Sequence, residues 1–134
     1  MVYYTAQLRI EGKSLDPAQV ARHLGMAPTL SRQVGERRDA TSVWDKALWA
    51  FDAQHHDELE WDSLDAALRA LLKIFIPHKE TLHRYKLEND VYLYCGQFSV
   101  GRGGGPVLSP EILAALGDFG IPLHLCAYFS DAES

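Results

Sequence analysis

Along residues 3–11 apolar and polar positions alternate. Tyr4, Ala6, Leu8 and Ile10 point one way, and Tyr3, Thr5, Gln7 and Arg9 the other. A period of two marks a strand with one face in a core. SLDPAQVARHLG follows with a full set of helix-start signals. Asp16 is the cap, Pro17 takes the first helical position, Gln19 stands where a capping-box partner belongs, and Leu15 and Val20 have the spacing of a hydrophobic staple. Gly25 closes that helix. The last third repeats the pattern. VYLYCGQF is a strand of aromatic and β-branched residues. In VLSPEILAALGDFG, Ser109 caps, Pro110 is first, Leu108 and Leu113 repeat the staple, Gly120 is the stop, and IPLHLCAYF returns as a strand.

Between these halves, VWDKALWAFDAQ predicts a strand with Ala47, Trp49 and Phe51 on one side. WDSLDAALRALLKIFIP predicts an amphipathic helix whose stripe is Leu64, Leu68, Leu71, Leu72 and Phe75, ended by Pro77. HKETLHRYKLEN adds a short helix that uses Leu82 and Tyr85. Two strand–helix–strand halves predict a single α+β domain over residues 1–134. Its expected form is a ferredoxin-like four-stranded antiparallel sheet with an inserted helical segment between the halves. The inserted helices must bury their stripe on the second sheet face or along the sheet edge, and the pattern leaves both open. If the second face is uncovered, Gln7, Arg9, Tyr92, Tyr94, His124 and Tyr128 lie on it.

Composition narrows the function. The net charge of -5 argues against a general nucleic-acid binder, which is normally basic over its domain. No apolar run reaches the length of a membrane span, and MVYYTAQLRIEG alternates like a strand, unlike a signal peptide, so a cytoplasmic protein is expected. Cys95 and Cys126 lie in strand-like stretches outside any C-x-x-C pair and read as buried, reduced thiols.

Chemistry is sparse. FSVGRGGGPVLSPEILAAL, residues 98–116, runs from a strand through glycines and Arg102 into a helix, as a phosphate loop would. It lacks the G-x-x-x-x-G-K-[ST] order, a proline takes the final glycine place of G-x-G-x-x-G, and Glu111 in the first helical turn competes with an anion. The 101–105 segment is therefore read as a flexible connection. A small-molecule or phosphate-ligand enzyme using it is the alternative reading. His55-His56-Asp57-Glu58 has no metal-ligand spacing and reads as a polar turn, and His78 and His83 fall on different helical faces. Ser, His and Asp form no nucleophile elbow. No catalytic, metal or cofactor residues are assigned, and the protein is expected not to be an enzyme. RNA binding on Tyr92 and Tyr94 is a lesser reading, because the K/R-G-F/Y-G/A-F-V pattern is missing.

The most unusual stretch is LGMAPTLSRQVGERRDATSVWDKALWAF, a long connection for a compact domain. Arg32, Arg37 and Arg38 put positive charge on an acidic chain just before Trp44 and Trp49. Arginine and tryptophan are common interface anchors, which makes these five the candidate interaction residues. Against that stands the reading in which one or both tryptophans fill the core and the arginines are solvated. In the same stretch L-G-x-x-P-T is followed by G and W, here Gly25, Pro28, Thr29, Gly35 and Trp44. With LRI before it and LSPEILAALGDFGIPLHLCAYF after it, this pattern resembles the domain of unknown function 4279 family across nearly the whole chain. The resemblance implies a small bacterial protein without an established activity, some of whose relatives are similar to immunity proteins that neutralise toxins. It offers no catalytic residues, and its motif residues read as structural. The reading that results is a noncatalytic binding module with a protein partner, immunity-type or homo-oligomeric.

Overall fold

The computed structural model describes residues 2–100 and 105–130. β1 (Val2–Gly12) leads to α1 (Pro17–Leu24), then to β2 (Leu30–Arg32) and β3 (Ala47–Asp52). α2 (Leu64–Phe75), one 3-10 turn (Ile76–His78) and α3 (Lys79–Tyr85) follow, then β4 (Asp90–Val100), α4 (Pro110–Phe119) and β5 (Leu123–Ser130). The helix starts are those the sequence signals. Asp16 accepts from the Ala18 N–H and Ser109 from the Ile112 N–H, each ahead of its proline. Gly25 and Gly120 end their helices at φ 67° and 75°, where a side chain would be strained.

The sheet is five-stranded and mixed, in the order β2-β3-β1-β4-β5. This corrects the expected ferredoxin-like four-stranded antiparallel sheet. β2, three residues hidden in the long connection, pairs antiparallel with β3 and forms one edge. β3 and β4 flank β1, both antiparallel to it, so the first half is not a simple β-α-β unit. β5 returns parallel to β4 after the α4 crossover, which a parallel pair requires. The two halves therefore differ in topology despite their shared capping pattern.

All four α-helices bury their stripes in one core. Val20 and Leu24 of α1, the five-residue stripe of α2, Leu82 of α3, and Ile112 and Phe119 of α4 join Tyr4, Ala6, Leu8, Ile10, Trp49, Val91, Leu93 and Cys95 of the strands. The inserted helices thus share the face that α1 and α4 cover. Burial in this core pushes the Cys95 thiol up to about 12. Among the described residues no helix lies on the other sheet face.

Candidate functional site

Alternation places Tyr3, Thr5, Gln7, Arg9 and Glu11 of β1 on the helix-free face. Register adds Leu48, Ala50 and Asp52 of β3, Tyr92, Tyr94, Gly96 and Phe98 of β4, and His124, Cys126 and Tyr128 of β5. The face residues expected from the alternation are all on it. They hold one another tightly. The ring of Phe98 lies parallel to Tyr3 on one side at 4.8 Å and to Tyr128 on the other at 4.9 Å. Those separations equal the spacing of neighbouring strands, so the three rings stand upright, face to face across β1, β4 and β5. Gly96 makes room for this row, because a Cβ there would come within 2.8 Å of the Phe98 ring and of Thr5 Oγ1. Tyr92 and His124 form a second parallel pair at 4.4 Å.

Polar groups link the rows. Gln7 Nε2 donates to both Asp52 carboxylate oxygens at 3.1 Å, and its Oε1 accepts from Arg9 Nε. The Arg9 guanidinium lies 4.4 Å over the Tyr94 ring, the Tyr92 hydroxyl donates to Glu11 at 3.1 Å, and the Tyr94 and Tyr128 hydroxyls are 2.8 Å apart. The bond to Tyr128 holds the Tyr94 hydroxyl well above its ordinary range.

The long connection rims this face. Thr29 starts it: its N–H donates to the Ala50 carbonyl at 2.8 Å and its hydroxyl to Asp52, while Asp52 N–H donates back to that hydroxyl at 2.9 Å. Gly35 at φ 90° then turns the chain so that its N–H reaches the Trp44 carbonyl at 2.8 Å, and Trp44 N–H returns to the Glu36 carbonyl at 2.9 Å. The result is a narrow ribbon with Arg37 opposite Val43, closed at its tip by Asp39, whose carboxylate accepts from the N–H groups of Thr41 and Ser42. Those bonds lower the Asp39 carboxyl below its ordinary range. Of the motif residues, Gly25 ends α1, Thr29 seats β2, and Gly35 and Trp44 close the ribbon.

The interaction candidates separate here. Trp49 is fully buried on the helical side, among Phe51 and Phe75, and is no part of the surface. That corrects its place among the five, and the cause is the alternation of β3 itself, which puts Ala47, Trp49 and Phe51 toward the helices. The half-buried Trp44 ring instead carries two guanidinium groups, Arg32 at 3.6 Å and Arg38 at 4.7 Å. Arg37 is exposed and donates to the Ala40 carbonyl at 3.1 Å. Arg32 differs from the other two arginines: its Nε is buried and, like Trp49 Nε1 and Ser99 Oγ, has no hydrogen-bond partner among the described residues. Burial, then the neighbouring charge of Arg9, lowers its pKa, with Glu11 and Tyr92 opposing.

The other candidates fare differently. Gly101 to Gly104, including Arg102, lie outside the described residues. The start of α4, which that loop would feed, already holds a carboxylate: Ser109 N–H donates to Asp65 Oδ2 at 2.7 Å, and Arg69 bridges Asp65 to the Ser109 hydroxyl. The Ser109 N–H first, then Arg69, holds the Asp65 carboxyl below its usual range. His55 to Glu58 form a tight turn, with N–H to carbonyl bonds in both directions at 2.8 and 2.9 Å and with His56 and Asp57 at φ 50° and 66°. Among the described residues no group of three metal-ligating side chains forms, and no helix is long and apolar enough to cross a membrane. For a base-stacking role the face is poorly presented, since the upright rings spend their flat sides on one another and on Arg9.

Compared with known families, the chain matches domain of unknown function 4279 over residues 2–130. No curated protein and no solved structure matches it.

Proposed function

The chain belongs to the domain of unknown function 4279 family, whose description carries no activity, and we propose from the surface itself that the protein is a noncatalytic binding module for a protein partner. The partner docks on the arginine–tryptophan rim of the helix-free face: Arg32, Arg37, Arg38 and Trp44. The observation that carries this reading is Arg32. A buried donor without an acceptor costs free energy, of order 1–3 kcal/mol, and of the three unpartnered buried groups among the described residues, Arg32 Nε, Trp49 Nε1 and Ser99 Oγ, only that of Arg32 belongs to a residue that reaches the surface. An acceptor brought by a partner relieves it. The chemistry that fits is a carboxylate or backbone carbonyl of the partner, received beside an aromatic ring that is already held in place. An immunity-type protein bound to its toxin is one instance of such a module.

A pull-down from native lysate with tagged protein tests this, read by mass spectrometry. The expected result is a stoichiometric protein retained by the wild type and lost with Arg32→Gln, Trp44→Ala or Arg37→Glu, each variant keeping the wild-type circular dichroism. Equal retention by folded variants contradicts the assignment of the rim.

A further inference from the structure

Among the described residues, the outer edge of β5 also lacks a hydrogen-bonding partner. Its eight residues, LHLCAYFS, contain no Asp, Glu, Lys, Arg or Pro, although 23% of the chain is charged. Leu125, Tyr128 and Phe129 are 45%, 46% and 62% exposed. Monomeric proteins protect long edge strands with charge, proline, a bulge or a short length. The opposite edge, β2, is protected in this way: it has three residues, one of them an arginine. β5 has none of these devices.

The edge also has a defined register. The Pro122 carbonyl accepts from Leu93 N–H at 2.8 Å, so even-numbered residues of this strand turn their backbone groups toward β4. Leu123, Leu125, Ala127 and Phe129 therefore turn theirs outward, where no described residue bonds to them. Antiparallel pairing with an identical strand across a two-fold axis satisfies all four if the axis passes through Cys126. Leu123 then faces Phe129 of the second copy, and Leu125 faces Ala127.

The aromatic rows point to the same axis independently. The row Tyr3–Phe98–Tyr128 and the pair Tyr92–His124 both end on β5. An axis through Cys126 sets Tyr128 opposite His124 of the second copy, in the closer, non-hydrogen-bonded type of pair. The two stacks then join into one, Tyr3–Phe98–Tyr128 continuing into His124 and Tyr92 of the second copy.

We infer that the chain forms a homodimer by antiparallel pairing of its β5 strands about Cys126, giving a continuous ten-stranded sheet with one shared helix-free face. The pairing strands carry no like charges, so the net charge of -5 on each copy is not concentrated at the contact. An edge roughly 26 Å long and about 20 Å deep covers on the order of 500 Å² per copy, about 1,000 Å² in all, the size of a weak interface just under the roughly 1,200 Å² at which stable ones begin. This inference rests on the β5 edge alone and is independent of the partner proposed for the rim.

The test is the solution mass of purified protein by light scattering at about 100 µM, with Ala127→Pro and Ala127→Lys beside the wild type. Proline at 127 removes an outward N–H and leaves the β4 ladder intact; lysine adds charge at an exposed position. The expected result is twice the chain mass for wild type and a twofold drop for both variants. A Cys95→Ala protein should also give a covalent dimer through Cys126 under mild oxidation. A monomeric wild type, or a dimer that survives both substitutions, overturns the inference. A dimer that Cys126 cannot cross-link overturns the register.

Discussion

At the scale of single residues, the two tryptophans of the 44–49 segment have opposite roles. Trp49 stacks on Phe51 and meets Phe75 edge-on, each at 6.2 Å, with no exposure. Trp49→Ala should cost about 3–5 kcal/mol in a denaturant melt. Trp44→Ala removes a half-buried ring and two cation–π contacts and should cost about 1–2 kcal/mol in the same melt. Two costs of equal size would contradict this division. Gly96→Ala forces the Phe98 ring off its stack, and a loss of about 1–2 kcal/mol with a weakened near-ultraviolet dichroism signal is expected. Asp57, by contrast, holds φ 66° as a non-glycine residue. Asp57→Gly should stabilise the fold by about 0.5–1 kcal/mol, readable as a higher denaturation midpoint. In the sequence the β3 alternation already sets Trp49 beside Ala47 and Phe51, whereas nothing in the one-dimensional pattern tells that Arg32 and Arg38 converge on Trp44. That convergence depends on the turn at Gly35.

At the scale of elements, the helices were legible and one strand was not. Cap, proline, staple and glycine stop are local chemistry, so α1 and α4 begin and end where the sequence places them. β2 is three residues with no alternation to read, and it exists because Thr29 and the Ala50 carbonyl seat it on β3. Missing it hid the sheet's edge and the route by which β3 comes to run antiparallel to β1. The clamp between α2 and α4 was equally invisible, since Asp65 and Ser109 are distant in sequence. The clamp makes stability pH-dependent. The folded state holds the Asp65 carboxyl below its unfolded value, so its contribution is full above the ordinary carboxylate range and fades as pH falls through the folded value. Melting temperatures of wild type and Asp65→Asn should therefore differ at pH 7, begin to approach each other only below about pH 4, and converge once pH is below the lowered folded value. A gap that stays constant with pH would show that the carboxylate charge is not what Ser109 and Arg69 hold.

At the scale of the whole molecule, the helices pack on one sheet face, and the proposed function uses the rim of the other. All described helices and the cluster of core side chains they bury lie on the first. The second is ordered by its own stacks and hydrogen bonds, so binding of the proposed partner would order little more. The sequence pattern correctly put Gln7, Arg9, Tyr92, Tyr94, His124 and Tyr128 on that face. Where the middle helices would pack decided whether it was free, and only the fold answers that. The most direct test of the account is hydrogen–deuterium exchange of the protein with and without the partner it captures. Protection concentrated in residues 30–44, with α2 and α3 unchanged, is the predicted result. Protection over α2 and α3 with an unchanged 30–44 segment would contradict it and move recognition to the helical side.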